Sequence, residues 1–491
     1  MNKFYTLTCL VVLLLPLHSC FAQANTDSEK AVYNCFTIMA GKGATDDGSV
    51  LFAHIEDDFG KQLVNWYIKK AEVYHEGEQV ELKNGGLYGQ VERTAKMLWL
   101  EIPGMDFSDS YLNEYGVCIA SNSCSSREKD PGITDGGIAY RLRGLMAERA
   151  KTARDAVILG GDLVEQFGYT GSGRTYCIAD ANEAWTLSVV RGKHWVAQRV
   201  PDNQVMVLPN NYTIEEINLE DKSNFLACRD LIEYAVRRGW YNPSTDGPFN
   251  FRKTYGATNS LTHPGNTSRA WGAYHKFDMP FDRDDDFPYS FVPKEKISKQ
   301  KLMDILAYHY EGTDMDKSKN YTLGSPYDMN GSMICGKASV YGFVTECRNW
   351  LPVEIGTVMW LAPQWPDIQP FIPWYSGITK VPEGFAKQAY LNELSDHYNP
   401  PEDIHDRYDG HAFWSFVELS EWVNEDYGER VIKIRKQKDK LENKLFKKQG
   451  KIENMALNKY NKNPDLANEI LTRITSALAT HSWKMAKKNK K

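Results

Sequence analysis

Apolar and polar positions along this chain alternate in two regimes. Short runs rich in β-branched and aromatic residues come first: "YNCFTIMA", "SVLFAHI", "LVNWYIKKAEVY", "KMLWLEIP" and "GVCIASNS". Gly-Lys-Gly, Asp-Asp-Gly and Asn-Gly-Gly punctuate them, which predicts strands joined by turns. The period then lengthens. In "GIAYRLRGLMAERA" and "ARDAVILGGDLVEQFG" apolar residues recur three and four apart, which predicts helices, the second with Thr152 as its N-cap. Strands return in "RTYCIAD", "EAWTLSVV", "HWVAQRV" and "QVMVLPN", before helices expected over Asn224 to Arg237 and Ser298 to Tyr310. Strands grouped with strands and helices with helices favour an α+β layering of covered sheets over a βαβ repeat. The polar stretch "DHYNPPEDIHDRYDGH", Asp396 to His411, reads as a loop.

The first residues break this pattern. "MNKFYTLTCLVVLLLPLHSCFAQA" has one lysine, an apolar run to Leu17 and then small residues, the signature of a secretory leader with cleavage expected after Ala24. "LHSC" also resembles a lipobox, which leaves a lipid anchor at Cys20 as the alternative. No later window is long and apolar enough to cross a bilayer. The expectation is a mature protein that is secreted or periplasmic, or tethered to the outer membrane.

Composition adds little beyond this. Hydrophobic residues are 42% and charged ones 25% of 491 residues, ordinary for a globular chain. Charge is uneven, because Arg430 to Lys491 carries 18 Lys and Arg against 5 Asp and Glu. Val431, Ile434, Leu441, Leu445, Ile452 and Met455 recur there at helical spacing, so the segment reads as a long helix with lysines in water rather than as a nucleic-acid surface. No nucleic-acid partner is expected, and a homo-oligomer is compatible with the sequence.

Candidate chemistry narrows by elimination. Nine cysteines include two in the leader, and the remaining seven form no CxxC pair, so a structural zinc site is not expected. An odd count leaves one thiol over in a compartment that permits disulfides. The loop with His397, His405, His411, Asp396, Asp406 and Asp409 lacks a metal-protease spacing and reads as solvated. No G-x-S-x-G elbow, P-loop or dinucleotide fingerprint occurs. Cys35 remains, at the start of the first strand. A thiol has a reference pKa of about 8.5 and an α-amine about 7.7 to 8.0, so a cut between Asn34 and Cys35 would place nucleophile and base on one residue. A buried structural cysteine is the other reading that the residues alone allow.

The stretch "NCFTIMAGKGATDDGSVLFAHIEDD" resembles the opening of the cysteine-type dipeptidases of the secreted dipeptidase A kind. These are N-terminal-nucleophile hydrolases related to penicillin V acylase and bile salt hydrolase. "NEYGVCIASNS", "ADANEAWTLSVVRGKHWVAQRVPDNQVMVLPNNYTI", "HYEGTDMD", "FVTECRNWLPVEIGTVMWLA" and "PWYSGITKVPEGF" resemble family segments in the family's order. The resemblance implies a four-layer αββα sandwich over 35–411, a leader 1–24, a propeptide 25–34 removed autocatalytically, and a basic helical extension 412–491. It implies short peptide substrates, no cofactor and no metal.

Residue by residue, Cys35 falls on the nucleophile, Asp57 on the aspartate that orients the new α-amine, and Asn210 on an oxyanion donor. His54 stands where many relatives have arginine, and is expected either to make the site more sensitive to pH or to serve as a neutral hydrogen-bonding stand-in. Asn122 is the candidate second oxyanion donor, a turn residue otherwise. Arg269 is the candidate distal arginine, a surface charge otherwise. Glu56 and Asp58 are candidates for a substrate ammonium, or exposed acids beside a turn. The alternatives are an N-acyl amide hydrolase on the same nucleophile, a non-enzymatic surface binding protein, and a metallopeptidase using the His397 to His411 loop.

Overall fold

Two antiparallel sheets lie face to face in this computed structural model, which describes residues 35–58, 63–101, 108–386 and 410–489. The first sheet joins β1 (Phe36–Ala40), β2 (Val50–Asp57), β12 (Val205–Leu208), β14 (Ser290–Phe291), β15 (Ser339–Cys347), β16 (Thr357–Pro363) and β17 (Ile372–Tyr375) in the order β14-β12-β1-β2-β15-β16-β17. The second joins β3 (Asn65–Lys69), β6 (Met97–Glu101), β7 (Ser110–Asn113), β8 (Cys118–Ser123), β9 (Tyr169–Ala179), β10 (Ala184–Gly192), β11 (Trp195–Arg199) and β13 (Phe225–Ala227) in the order β13-β11-β10-β9-β8-β7-β6-β3. A hairpin of β4 (Gln79–Glu81) and β5 (Leu87–Gly89) stands apart from both.

Helices cover the outer faces. Arg141–Arg149 packs on β7 and β8, and Ala153–Phe167 on β9, β10 and β11. Lys299–Leu306 packs on β2 and β15, and Pro464–Asn489 on β17. The result is the expected four-layer αββα sandwich. It explains why β1, β2, β15 and β16 are buried at every position: one face meets the other sheet and the other lies under helices, so these strands read as apolar runs. Gly160 and Gly161 let the second helix lie close to its sheet, because a Cβ on either would fall 2.7 Å or less from the Leu187 or Trp195 side chain.

Local signals act as expected at several ends. Thr152 and Asp155 form a reciprocal capping box. Ser298 caps the helix that follows it. The helix expected from Asn224 begins only at Leu231, because Phe225–Ala227 pairs with β11 as the edge strand β13 instead. The strand expected over Leu63 to Tyr74 ends at Lys69.

The C-terminal region holds three helices, Ala412–Glu425, Tyr427–Tyr460 and Pro464–Asn489. Val431, Ile434, Leu441 and Leu445 are buried as the helical spacing requires, whereas Met455 is exposed. Arg348 forks onto Glu453 at 2.6 and 2.8 Å, and Gln449 donates to Glu346 at 2.6 Å. These bonds fasten the long helix to the first sheet. Among the described residues no helix is long and apolar enough to cross a membrane. The leader, Cys20, the propeptide, His397, His405, Asp396, Asp406 and Asp409 lie outside the described residues. His411, expected in a solvated loop, is buried, and its ring accepts a hydrogen bond from Phe413 N at the start of a helix.

Candidate active site

Register brings the candidate residues together. In the β1–β2 pair Thr37 lies opposite His54 and Phe36 opposite Ile55, so the residue just before β1, Cys35, arrives beside Glu56. Side chains two apart on a strand share a face, which puts His54 and Glu56 on one side of β2. Their chemistry follows from that placement. Cys35 Sγ donates to Glu56 Oε1 at 3.2 Å, and Glu56 Oε2 lies 3.1 Å from His54 Nε2. His54 Nδ1 is 2.8 Å from Thr37 Oγ1, which donates to Asn122 Oδ1 at 2.7 Å.

A second group holds the Cys35 main chain. Arg269 Nη1 donates to Cys35 O at 2.8 Å, and Asn122 Nδ2 donates to the same oxygen at 2.9 Å. Arg269 comes from the helix Pro264–Lys276, which starts on a proline at its first position and turns this guanidinium inward. Its Nη2 reaches Asn210 Oδ1 at 3.0 Å and Asn266 Oδ1 at 2.8 Å, and its Nε reaches Gly265 O at 2.9 Å. Asn210 Nδ2 donates to Ser123 O at 3.0 Å.

Asp57 is the third element. Ser339 Oγ donates to its Oδ1 at 2.7 Å, but Oδ2 is buried and has no hydrogen-bond partner among the described residues. A buried carboxylate oxygen without a donor is costly, so this one marks a place where a donor is expected to arrive. Burial pushes the Asp57 carboxyl up to about 7 against the pull of Ser339 and Arg269. Burial likewise lifts Glu56 to about 7, opposed by Arg143. The Cys35 thiol is held well above its usual range by burial and by Glu56 and Asp57. His54 is pushed down to about 3 by burial and Arg143.

The geometry bears on five of the expected residues. His54 is the neutral hydrogen-bonding partner of the two alternatives. Glu56 and Asp58 are not exposed acids: both are buried, Glu56 against the thiol and Asp58 at the end of β2 with its N–H on Ala338 O. Arg269 is fully buried and not a surface charge. Asn122 lies in β8 rather than a turn, and its amide nitrogen faces the carbonyls of Cys35, Leu208 and Pro209, so it anchors the main chain rather than facing outward as an oxyanion donor.

Sequence reasoning missed Thr37, Ser339 and Asn266, which orient the candidates. Only Thr37 left a signal, a hydroxyl inside an otherwise apolar strand. It also missed a second cluster. His309, Cys335 and Asp367 place potential ligand atoms within 4.8 Å of one another, as do His194, Cys228 and Asp230. In the first, Tyr327 and Tyr427 hydroxyls both donate to Asp367 at 2.5 Å, one to each oxygen. Beside it a cavity of about 460 Å³ is lined by Tyr308, Glu311, Tyr321, Asp367 and Arg435 among others. All seven described cysteines are free and buried, so the leftover thiol inferred from an odd count is not singled out by disulfide pairing of the others.

The family model of peptidase family C69 matches residues 117–438. The chain belongs to peptidase family C69. The matched span includes Asn122, Asn210 and Arg269, and Cys35 precedes it. The "Probable dipeptidase" of Salmonella dublin is 26% identical over 371 residues, covering 72% of this chain and 84% of the relative. The "Dipeptidase" of Bifidobacterium longum (strain NCC 2705) is 25% identical over 405 residues, covering 74% and 73%. The solved structure of penicillin V acylase from Agrobacterium tumefaciens aligns over 67% of this chain and 82% of its own at 12% identity, with a TM-score of 0.35, too loose a likeness to carry an argument.

Proposed function

We propose that this peptidase hydrolyses dipeptides through Cys35 after cleavage has made it the first residue of the mature chain. The relatives named dipeptidases support the substrate class. The observation that carries the mechanism is the unpartnered Asp57 Oδ2 beside Cys35, because a free α-amine on Cys35 supplies the donor which that oxygen lacks. Asp57 then orients the amine and stabilises it as an ammonium when it takes the thiol proton. Sγ attacks the scissile carbonyl, and Asn210, its Oδ1 held by Arg269 and one amide hydrogen on Ser123 O, offers its second amide hydrogen to the oxyanion. The amine returns the proton to the departing amino acid, and water resolves the thioester by the same route. A leader over 1–24 sends the chain out of the cytoplasm in this reading, and 412–491 serves as an extension of the catalytic region 35–411.

Intact mass before and after iodoacetamide tests it, together with turnover of unblocked dipeptides and of N-acylated amino acids. A mature chain starting at Cys35, alkylated once with loss of dipeptide turnover, is the expected result. A chain still carrying Asn34, or faster turnover of the N-acylated substrates, overturns it.

A further inference from the structure

Glu56 touches the thiol, yet the mature mechanism above gives it no task. The hydrogens of its network can be assigned from one end. Asn122 Nδ2 faces three main-chain carbonyls, so Asn122 Oδ1 is fixed as an acceptor and takes the Thr37 hydroxyl hydrogen. Thr37 has no second hydrogen to give, so His54 Nδ1 must carry one. One further proton therefore lies in the 3.1 Å contact between His54 Nε2 and Glu56 Oε2. With the imidazole pushed down to about 3 and Glu56 raised to about 7, that proton rests on Glu56. One oxygen of Glu56 accepts from the thiol while the other is backed by an imidazole lone pair.

Before processing, the nitrogen of Cys35 is an amide and has no basic lone pair, so the base used by the mature chain does not yet exist. The buried thiol, flanked by two carboxyls, does not ionise unaided. We infer that Glu56, backed by His54, is the base that activates Cys35 for cleavage of the Asn34–Cys35 bond. This rests on the reading that Cys35 becomes the first residue.

The proton on Sγ passes to Glu56 Oε1 as sulfur bonds to the carbonyl carbon of Asn34, while the proton on Oε2 moves to His54 Nε2. When the carbon–nitrogen bond breaks, Oε1 gives its proton to the departing Cys35 nitrogen and His54 returns the other to Oε2. The products are a thioester between Asn34 and Sγ and a free α-amine. Water then hydrolyses the thioester, releasing the Asn34 carboxylate and restoring the thiol. Glu56 is catalytic in this step as the group that takes the thiol proton, and His54 acts through it by holding the proton that Glu56 gives up.

The test follows full-length chains made by cell-free translation, with intact mass read over time. Glu56→Gln should slow cleavage at Cys35 by about 100-fold or more, the usual scale for a lost general base, while Glu56→Asp recovers part of the rate. Deuterated solvent should slow cleavage of the unmutated chain, a readout independent of how any variant folds. A folded Glu56→Gln chain cleaving within about threefold of the unmutated rate overturns the proposal, since a lost general base costs far more; so does the absence of a solvent isotope effect. Cys35→Ala separates the two ideas: if that chain is still cut at the same bond, the reading of Cys35 as its own processing nucleophile fails, whatever Glu56 does.

Discussion

Two clusters in this molecule set a cysteine against a buried carboxyl, and they differ in what the carboxyl oxygens have to bind. At Asp367 the supply is complete. Tyr327 and Tyr427 each donate to one oxygen at 2.5 Å, Arg435 approaches at 3.3 Å, and Cys335 Sγ lies 3.8 Å from Oδ1. At Cys35 it is not. Asp57 Oδ2 has no donor among the described residues, and Glu56 Oε2 meets a neighbouring imidazole nitrogen at 3.1 Å. The residue types are similar, so composition cannot separate them. Satisfaction does: a filled set of hydrogen bonds holds a fold together, and an unfilled one leaves capacity to bind or to move protons.

Substitutions can break this contrast. Cys35→Ala should reduce dipeptide turnover by at least about 10⁴-fold with little change in melting temperature, measured by steady-state kinetics and calorimetry. Asp57→Asn should cost about 10² to 10⁴ in kcat, and it should leave the stability of the unprocessed chain unchanged or raised because it removes a buried, half-satisfied acid. Asp367→Ala should do the reverse, costing about 3 kcal/mol in denaturant unfolding as two tyrosine hydroxyls and Arg435 lose their partner. Equal effects of the Asp57 and Asp367 changes on both readouts would erase the distinction.

The pH dependence sharpens the same comparison. Asp57 and Glu56 have folded pKa values raised to about 7, so their contribution to stability is complete below the ordinary carboxyl range and is lost as pH climbs to about 7. Groups facing Glu56 are Cys35, His54, Asp57 and Asp58 on or beside its own strand, Arg143 from a helix, Arg174 from β9 and Tyr341 from β15. Unfolding of the unprocessed chain between pH about 4.5 and about 7 should become easier by up to about 1.4 kcal/mol per pH unit for each acid, and Glu56→Gln should flatten that slope. The smallest effect is expected at Tyr427→Phe, about 1 to 3 kcal/mol of stability with kcat unchanged.

The layering was legible because its cause is local. Strands such as Phe36–Ala40 and Val50–Asp57 are buried on both faces, which forces apolar runs, and Thr152 caps its helix through a residue three positions away. Cys35 and Asp57 were singled out as candidates through resemblance. The misreadings have a shared physical origin. Glu56 and Asp58 stand in an acidic run and look solvated, yet β2 is buried at every position and both acids lie inside. Asn122 and Arg269 meet at one carbonyl oxygen from positions 147 residues apart, a contact that no local pattern encodes. Tyr327, Asp367 and Tyr427 are equally scattered, so their network gave no sign in the sequence.

The C-terminal helices carry a consequence for timing. Pro464–Asn489 packs on β17, and the helix before it delivers Tyr427, Arg435 and Glu453 to partners deep in the body. Residues through Asn489 must therefore be made before β17 gains this cover, and contacts of such long sequence separation form late. If Cys35 is freed by the cleavage proposed above, that cleavage is expected to wait until these helices have docked.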